Sequence, residues 1–202
     1  VIDRLSGAAG RDVSRETFEK LDTYVGLLRE ENKRQNLVSA STLEQVWDRH
    51  ILDSAQLVRY ESLAGASWID IGSGAGLPGI VIACLVDGPV ELVEPRRLRA
   101  EFLHKVSESL GLEATVLCAK AERVGGKFDV ITARAVAPLA KLLEISAHLS
   151  TRKTVWALPK GRSAEAELAE AQRTWQGSFR VEPSVTDAQS FVVVGTEVRA
   201  KR

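Results

Sequence analysis

The chain has 202 residues, 45% of them hydrophobic and 27% charged, with 27 basic residues balanced by 27 acidic ones. That size suits one α/β domain with a sizeable core and a short extension, and the charge balance excludes a general electrostatic pull toward nucleic acid, so any RNA contact must come from a local basic patch. The longest apolar stretch, Ile80 to Val86, is too short to cross a bilayer, and Val1-Ile2-Asp3-Arg4 lacks the apolar core of an export signal. The two cysteines, Cys84 and Cys118, sit in apolar runs without metal-ligand spacing. They predict reduced core thiols, no disulfide and no metal site, in keeping with a cytoplasmic location.

Residues 1 to about 60 read as a helical extension. Phe18, Leu21, Val25 and Leu28 recur at helical spacing. Asn32-Lys33-Arg34-Gln35-Asn36 reads as a polar turn. A second helix is expected from Ser41, which forms a capping-box pair with Glu44, and its apolar face runs through Val46, Trp47, Ile51 and Leu57. From residue 61 to 202 strands alternate with helices. Strands are predicted at Trp68 to Ile71, Val90 to Val93, Ala114 to Leu117, Phe128 to Thr132 and Thr154 to Leu158. The intervening helices are predicted at Leu77 to Val86, Leu98 to Leu110 (closed by Gly111) and Pro138 to Leu149. A helix carrying Ala164, Leu168, Ala171 and Trp175 comes next, and strands at Phe179 to Val181 and Phe191 to Val198 close the chain. This alternation predicts a Rossmann-like, doubly wound, mostly parallel sheet with its ligand crevice at the carboxyl ends of the strands.

The central motif is Asp70-Ile71-Gly72-Ser73-Gly74-Ala75-Gly76-Leu77-Pro78-Gly79, which leaves a strand and opens a helix. Glycines there allow a sharp turn and a close approach of the backbone to a ligand. Gly74, Gly76 and Gly79 fit the dinucleotide pattern GxGxxG, whereas Asp70, Gly72, Gly74 and Gly76 fit the first motif of class I methyltransferases. The Asp70 carboxylate favours the cationic donor S-adenosylmethionine over a pyrophosphate. Glu94, at the end of the second strand, is placed to accept the ribose hydroxyls. Ala121 and Glu122 follow the third strand, where an adenine edge would lie. An NAD-dependent oxidoreductase remains the alternative cofactor reading.

No Asn/Asp-Pro-Pro-aromatic run follows the fourth strand; Thr132-Ala133-Arg134-Ala135-Val136 stands there instead. No cysteine nucleophile lies there either. What remains are acceptors that are already nucleophilic, such as guanine N7, for which alignment and electrostatics suffice and no general base is needed.

Four segments then carry a specific resemblance: Asn36-Leu37-Val38, Arg49-His50-Ile51-Leu52-Asp53-Ser54, the Asp70–Gly79 segment and Ala133-Arg134-Ala135, with Pro159-Lys160-Gly161 after the fifth strand. The chain resembles, over roughly residues 14 to 198, the bacterial small-subunit ribosomal RNA (guanine-N7) methyltransferase family, RsmG, also called glucose-inhibited division protein B. The resemblance implies a class I methyltransferase fold and methylation of guanine 527 of 16S RNA, in the small subunit or an assembly intermediate. It also implies cofactor contacts at Gly72, Leu77, Ala121, Glu122 and Arg134. A methyltransferase of small molecules or proteins is the alternative within the same fold.

Arg134 could hold the methionine carboxylate or clamp an RNA phosphate. His50 is either a hydrogen-bonded core residue or a group at the mouth of the donor site, and Asp53 could pair with it or with Arg49. Lys33, Arg34, Arg96, Arg97, Lys105 and Lys160 are the candidate RNA contacts, Arg99 belongs to the same basic set, and Glu101 and Glu108 interrupt it. A monomer without membrane association is expected.

Overall fold

The computed structural model describes residues 1–201. Helix α1 (Ile2–Ala9) is followed by α2 (Arg15–Gln35), which starts where the Ser14 hydroxyl accepts the Thr17 N–H. Leu21, Tyr24, Val25 and Leu28 form its buried stripe. The polar run from Asn32 does not turn: it stays helical to Gln35, and the chain breaks only at Asn36, with φ 49°. The Asn32 side chain bonds both the N–H and the carbonyl of Val38, which folds the exit back onto the last turn.

The next helix, α3 (Ala40–Glu44), is capped by Ser39 instead of Ser41, because Ser39 has the extended conformation that aims its hydroxyl at the Thr42 N–H. A π-helical turn (Trp47–Leu52), α4 (Asp53–Ala55) and a 3₁₀ turn (Gln56–Tyr60) complete the extension. Stacking of Phe18 on Trp47, with ring centroids 5.3 Å apart, ties the wide turn to α2.

The remaining elements are β1 (Trp68–Ile71), α5 (Gly79–Leu85), β2 (Val90–Val93), α6 (Arg97–Leu110), β3 (Ala114–Leu117), β4 (Val130–Ala133), α7 (Leu139–Ser146), β5 (Val155–Lys160), α8 (Ala164–Ala171), β6 (Trp175–Pro183) and β7 (Phe191–Ala200). The seven strands form one sheet in the order β3-β2-β1-β4-β5-β7-β6. β1 to β5 are parallel, and β7 runs antiparallel to both β5 and β6. The strand order reverses between β1 and β4, which opens the crevice above their carboxyl ends.

Residues alternate between the two faces. Trp68, Val90, Leu92 and Val130 pack with α2, α5, α6 and the rest of the N-terminal helices. Ile69, Ile71, Ile131 and Trp156 pack with α7 and α8. The extension thus shares a core with one face of the sheet. Several predicted features shift, among them β4, which spans Val130–Ala133 and not Phe128–Thr132. Helix α8 stops at Ala171, because Trp175 pairs with Ala200 and opens a strand. Cys118 is exposed, since it lies beyond the end of β3 and not within it, while Cys84 is half-buried. Among the described residues no helix is long and apolar enough to cross a membrane.

Candidate active site

The glycine turn is fastened by its own amides. Gly74 N–H donates to Glu94 Oε2 at 2.9 Å and Gly79 N–H to Asp70 Oδ2 at 3.1 Å. Ser73 N–H donates to the Val93 carbonyl, and the Gly76 and Leu77 N–H groups converge on the Ser73 carbonyl. Side chains would break this turn. A Cβ on Gly76, at φ +96°, would lie 2.6 Å from Ile80 Cγ1, and one on Gly79 would lie 2.3 Å from Leu92 Cδ2. Tyr24, buried in α2, donates its hydroxyl to the Ala75 carbonyl at 2.8 Å. Sequence reasoning passed over Tyr24, although a tyrosine on a buried helical stripe needs a partner for its hydroxyl.

Asp70 is placed differently from the expectation. Its carboxylate points into the sheet face beneath the turn, where it also accepts the Thr132 hydroxyl at 2.9 Å, and it is fully buried. Burial raises its pKa from 3.8 to about 6, against hydrogen bonds from Ser73, Thr132 and Gly79 that lower it. Asp70 therefore holds the turn from below and lines neither of the two cavities above the strand ends. Leu77 is likewise a buried core residue beside the turn.

Two cavities open above the strand ends. The smaller, about 340 Å³, is lined by Gly72, Val93, Glu94, Arg96, Arg99, Lys120, Ala121 and Glu122 among others. Glu94 is buried, and its second oxygen accepts the Arg96 N–H at 2.8 Å, so both oxygens are held in place with acceptor capacity to spare. Gly74 and Gly76 do not line this cavity. They shape the turn that positions Gly72 and Glu94.

The larger cavity, about 610 Å³, is lined by Arg49, His50, Asp53, Arg134, Lys160 and Phe191 among others. Arg134 leaves the end of β4, donates Nη1–H to His50 Nδ1 at 3.2 Å and lies 3.8 Å from Asp53 Oδ2. Because arginine only donates, His50 Nδ1 is the acceptor and its proton sits on Nε2. That Nε2 is buried without a protein partner. Burial first, then Arg134 and Arg49, pushes the His50 pKa down to about 4, so the ring is neutral. Asp53 does not pair with His50 or Arg49. It takes hydrogen bonds from Gln56 and Thr186, and Arg49 pairs with Asp187 at 2.7 Å.

The two cavities meet at Ala135 and Val136, which line both. Ala135 has φ 55°, unusual for a residue with a Cβ. Val136 leans over Gly72 so closely that a Cβ there would lie 2.6 Å from Val136 Cγ2.

The basic candidates are differently engaged. Lys33 pairs with Glu30, Arg34 with Glu31, and Arg97 with Glu101. Lys105 shares a groove with Arg34 and Glu101. Arg96, with Arg99 and Lys120, rims the smaller cavity. Lys160, at the end of β5, is mostly buried in an ion pair with Glu167 of α8 at one wall of the larger cavity.

A family model described as GidB, rRNA small subunit methyltransferase G, matches residues 17–191. The chain belongs to this family. It is 46% identical over 199 residues to the ribosomal RNA small subunit methyltransferase G of Zymomonas mobilis, covering 94% of this chain and 90% of that protein. The fold is similar to a ribosomal protein L11 methylase from Lactobacillus delbrueckii, with TM-score 0.61 at 13% identity, over 76% of this chain and 79% of that one. It is also similar to M. jannaschii TYW2 in complex with AdoMet, with TM-score 0.58 at 14% identity, over 75% of this chain and 76% of that one. The Rossmann-like class I methyltransferase fold expected from the sequence is the fold observed.

Proposed function

We propose that the protein moves the methyl group of S-adenosylmethionine onto N7 of guanine 527 of 16S ribosomal RNA. Membership of the rRNA small subunit methyltransferase G family gives the enzyme class. The single structural observation that supports the donor is the use of the turn's amides. The N–H groups of Ser73, Gly74, Gly76, Leu77 and Gly79 all bond to protein oxygens. A pyrophosphate would need such amides free, so the oxidoreductase reading loses its anchor. A nucleoside donor without phosphate needs only the cavity, the Gly72 backbone and an acid for its ribose.

When bound, S-adenosylmethionine supplies an electrophilic methyl group. In the proposed arrangement Glu94 would accept the ribose hydroxyls, while Ala121 and Glu122 would border the adenine. Arg134, in the adjoining cavity, would be the cation for the methionine carboxylate. The guanine enters the larger cavity, which suits a base taken out of its stack. Guanine N7 would take the methyl group with its own lone pair as the bond from sulfur to methyl breaks and S-adenosylhomocysteine leaves, so the neutral His50 need not remove a proton. Alignment across Ala135 and Val136 carries the catalysis. Arg96, Arg99 and Lys120 are left to face RNA phosphates. The substrate form is the small subunit or an assembly intermediate, acted on by a monomer in the cytoplasm.

The deciding experiment is transfer of labelled methyl to small subunits lacking the modification, followed by mass spectrometric mapping of the modified base. Label in a ribosomal protein, in a small molecule or at another base would overturn the assignment.

A further inference from the structure

The turn between β4 and α7 carries Arg134 and Val136, so whatever fixes it sets the wall between the two cavities. Its far end has no side-chain cap of its own: Pro138 precedes α7 and cannot accept the Leu139 N–H through a side chain. That orphan donor is taken by Glu167 Oε2, from α8, at 3.0 Å. The same oxygen binds Lys160 Nζ at 2.8 Å, and Lys160 Nζ also donates to the Ala137 carbonyl at 3.1 Å. Ser163 steadies the other Glu167 oxygen at 2.8 Å. One ion pair therefore grips the chain on both sides of Pro138, at the carbonyl before it and the N–H after it. The cation side chain is only 10% exposed, so its charge is spent within the protein.

We infer that Lys160 and Glu167 act together as a positioning clamp: they hold the Arg134–Pro138 turn so that Val136 stands over Gly72 and Arg134 meets His50. Three observations agree. Ala135 keeps a left-handed backbone that a free turn would relax. Val136 makes its close approach to Gly72 although its side chain is otherwise exposed. Lys160 and Glu167 both line the larger cavity without lending it a free charge. Lys160 is thus removed from the set of RNA-phosphate contacts.

The kinetic arm of the test rests on the methyl-transfer reading; the exchange arm does not. Hydrogen exchange of the unliganded protein compares the parent with Lys160→Met and Glu167→Gln. In Glu167→Gln the Leu139 amide should exchange about tenfold faster, the order of change that loss of a charged hydrogen-bond partner brings, with the β1 and β4 amides unchanged. An unchanged Leu139 amide, or equal loss of protection throughout the sheet, would overturn the clamp. In methyl transfer, either variant should lower kcat about tenfold, since small misplacements are costly, with KM for small subunits and its salt dependence unmoved. The double variant should be no worse than the poorer single one. A rise in KM with a shallower salt slope in Lys160→Met alone would assign Lys160 to an RNA phosphate and sink the inference. So would losses that multiply in the double variant. If the parent protein transfers no methyl at all, the methyl-transfer reading fails, and the exchange result alone decides the clamp.

Discussion

Tyr24 and Ala75 are joined by a hydrogen bond of 2.8 Å between positions 51 residues apart in sequence. The bond ties the N-terminal extension to the glycine turn, so the extension bears on the smaller cavity without lining it. Tyr24→Phe keeps the ring and leaves the Ala75 carbonyl without its buried partner. A loss of about 1–3 kcal/mol in stability is expected from urea unfolding, with weaker S-adenosylhomocysteine binding by calorimetry. Unfolding and affinity identical to the parent would show that the bond does not position the turn.

Gly72 stands at φ +68°, and its missing Cβ is what lets Val136 approach. Gly72→Ala is expected to weaken S-adenosylhomocysteine binding at least about tenfold, through backbone strain and the displaced Val136 together. Adding Val136→Ala should recover part of the loss by removing the clash while the strain persists. No recovery in the double variant would mean that the contact with Val136 is inert.

The Asp70 carboxyl titrates near 6 when folded and near 3.8 when exposed. Between those values the folded state binds the proton more tightly than the unfolded state. Its contribution to stability is therefore fully present below the lower value and lost as pH rises through the higher one, with a slope of at most about 1.4 kcal/mol per pH unit. Against Asp70→Asn, which cannot titrate, the advantage of the parent should shrink from pH 4 to 6. Urea midpoints across that range check this, and a widening gap would contradict it.

His50 should remain neutral, with its proton on Nε2, throughout the working range. Histidine NMR should show no His50 titration above about pH 5. Arg134→Ala removes a positive neighbour and should move that titration upward, since Arg134 lowers it. A His50 resonance titrating near 6.5 in the parent would refute the assignment.

Much of this was legible in the sequence, and each miss has its own physical cause. The predicted spans of β1 to β3 match the observed ones residue for residue, because each is a four-residue run rich in apolar residues, too short for a helix and set beside glycine, proline or charge. Gly72, Glu94, Ala121 and Glu122 were assigned to one pocket, and they line one. His50 and Arg134 lie 84 residues apart and meet in the other cavity. Spacing alone could not tell that the Asp70 carboxylate turns inward, since a strand end offers both faces. Nor could it tell that Lys160 is neutralised, because Lys160 ends a strand while its partner Glu167, seven residues on, lies on the next helix, so no single-element periodicity relates them. The cap at Ser39 was missed because Ser39, Ser41 and Thr42 compete within four residues, and backbone conformation chooses between them.

The order of the sheet has a consequence for unfinished chains. β7 follows β6 in sequence yet lies inside it, bonded to β5 on one side and β6 on the other. A product ending before Phe191 would leave β5 with a bare edge and β6 with no neighbour. Exposed backbone of that kind recruits other chains, so a nonsense mutation late in the gene should yield insoluble protein, not a slightly shorter enzyme.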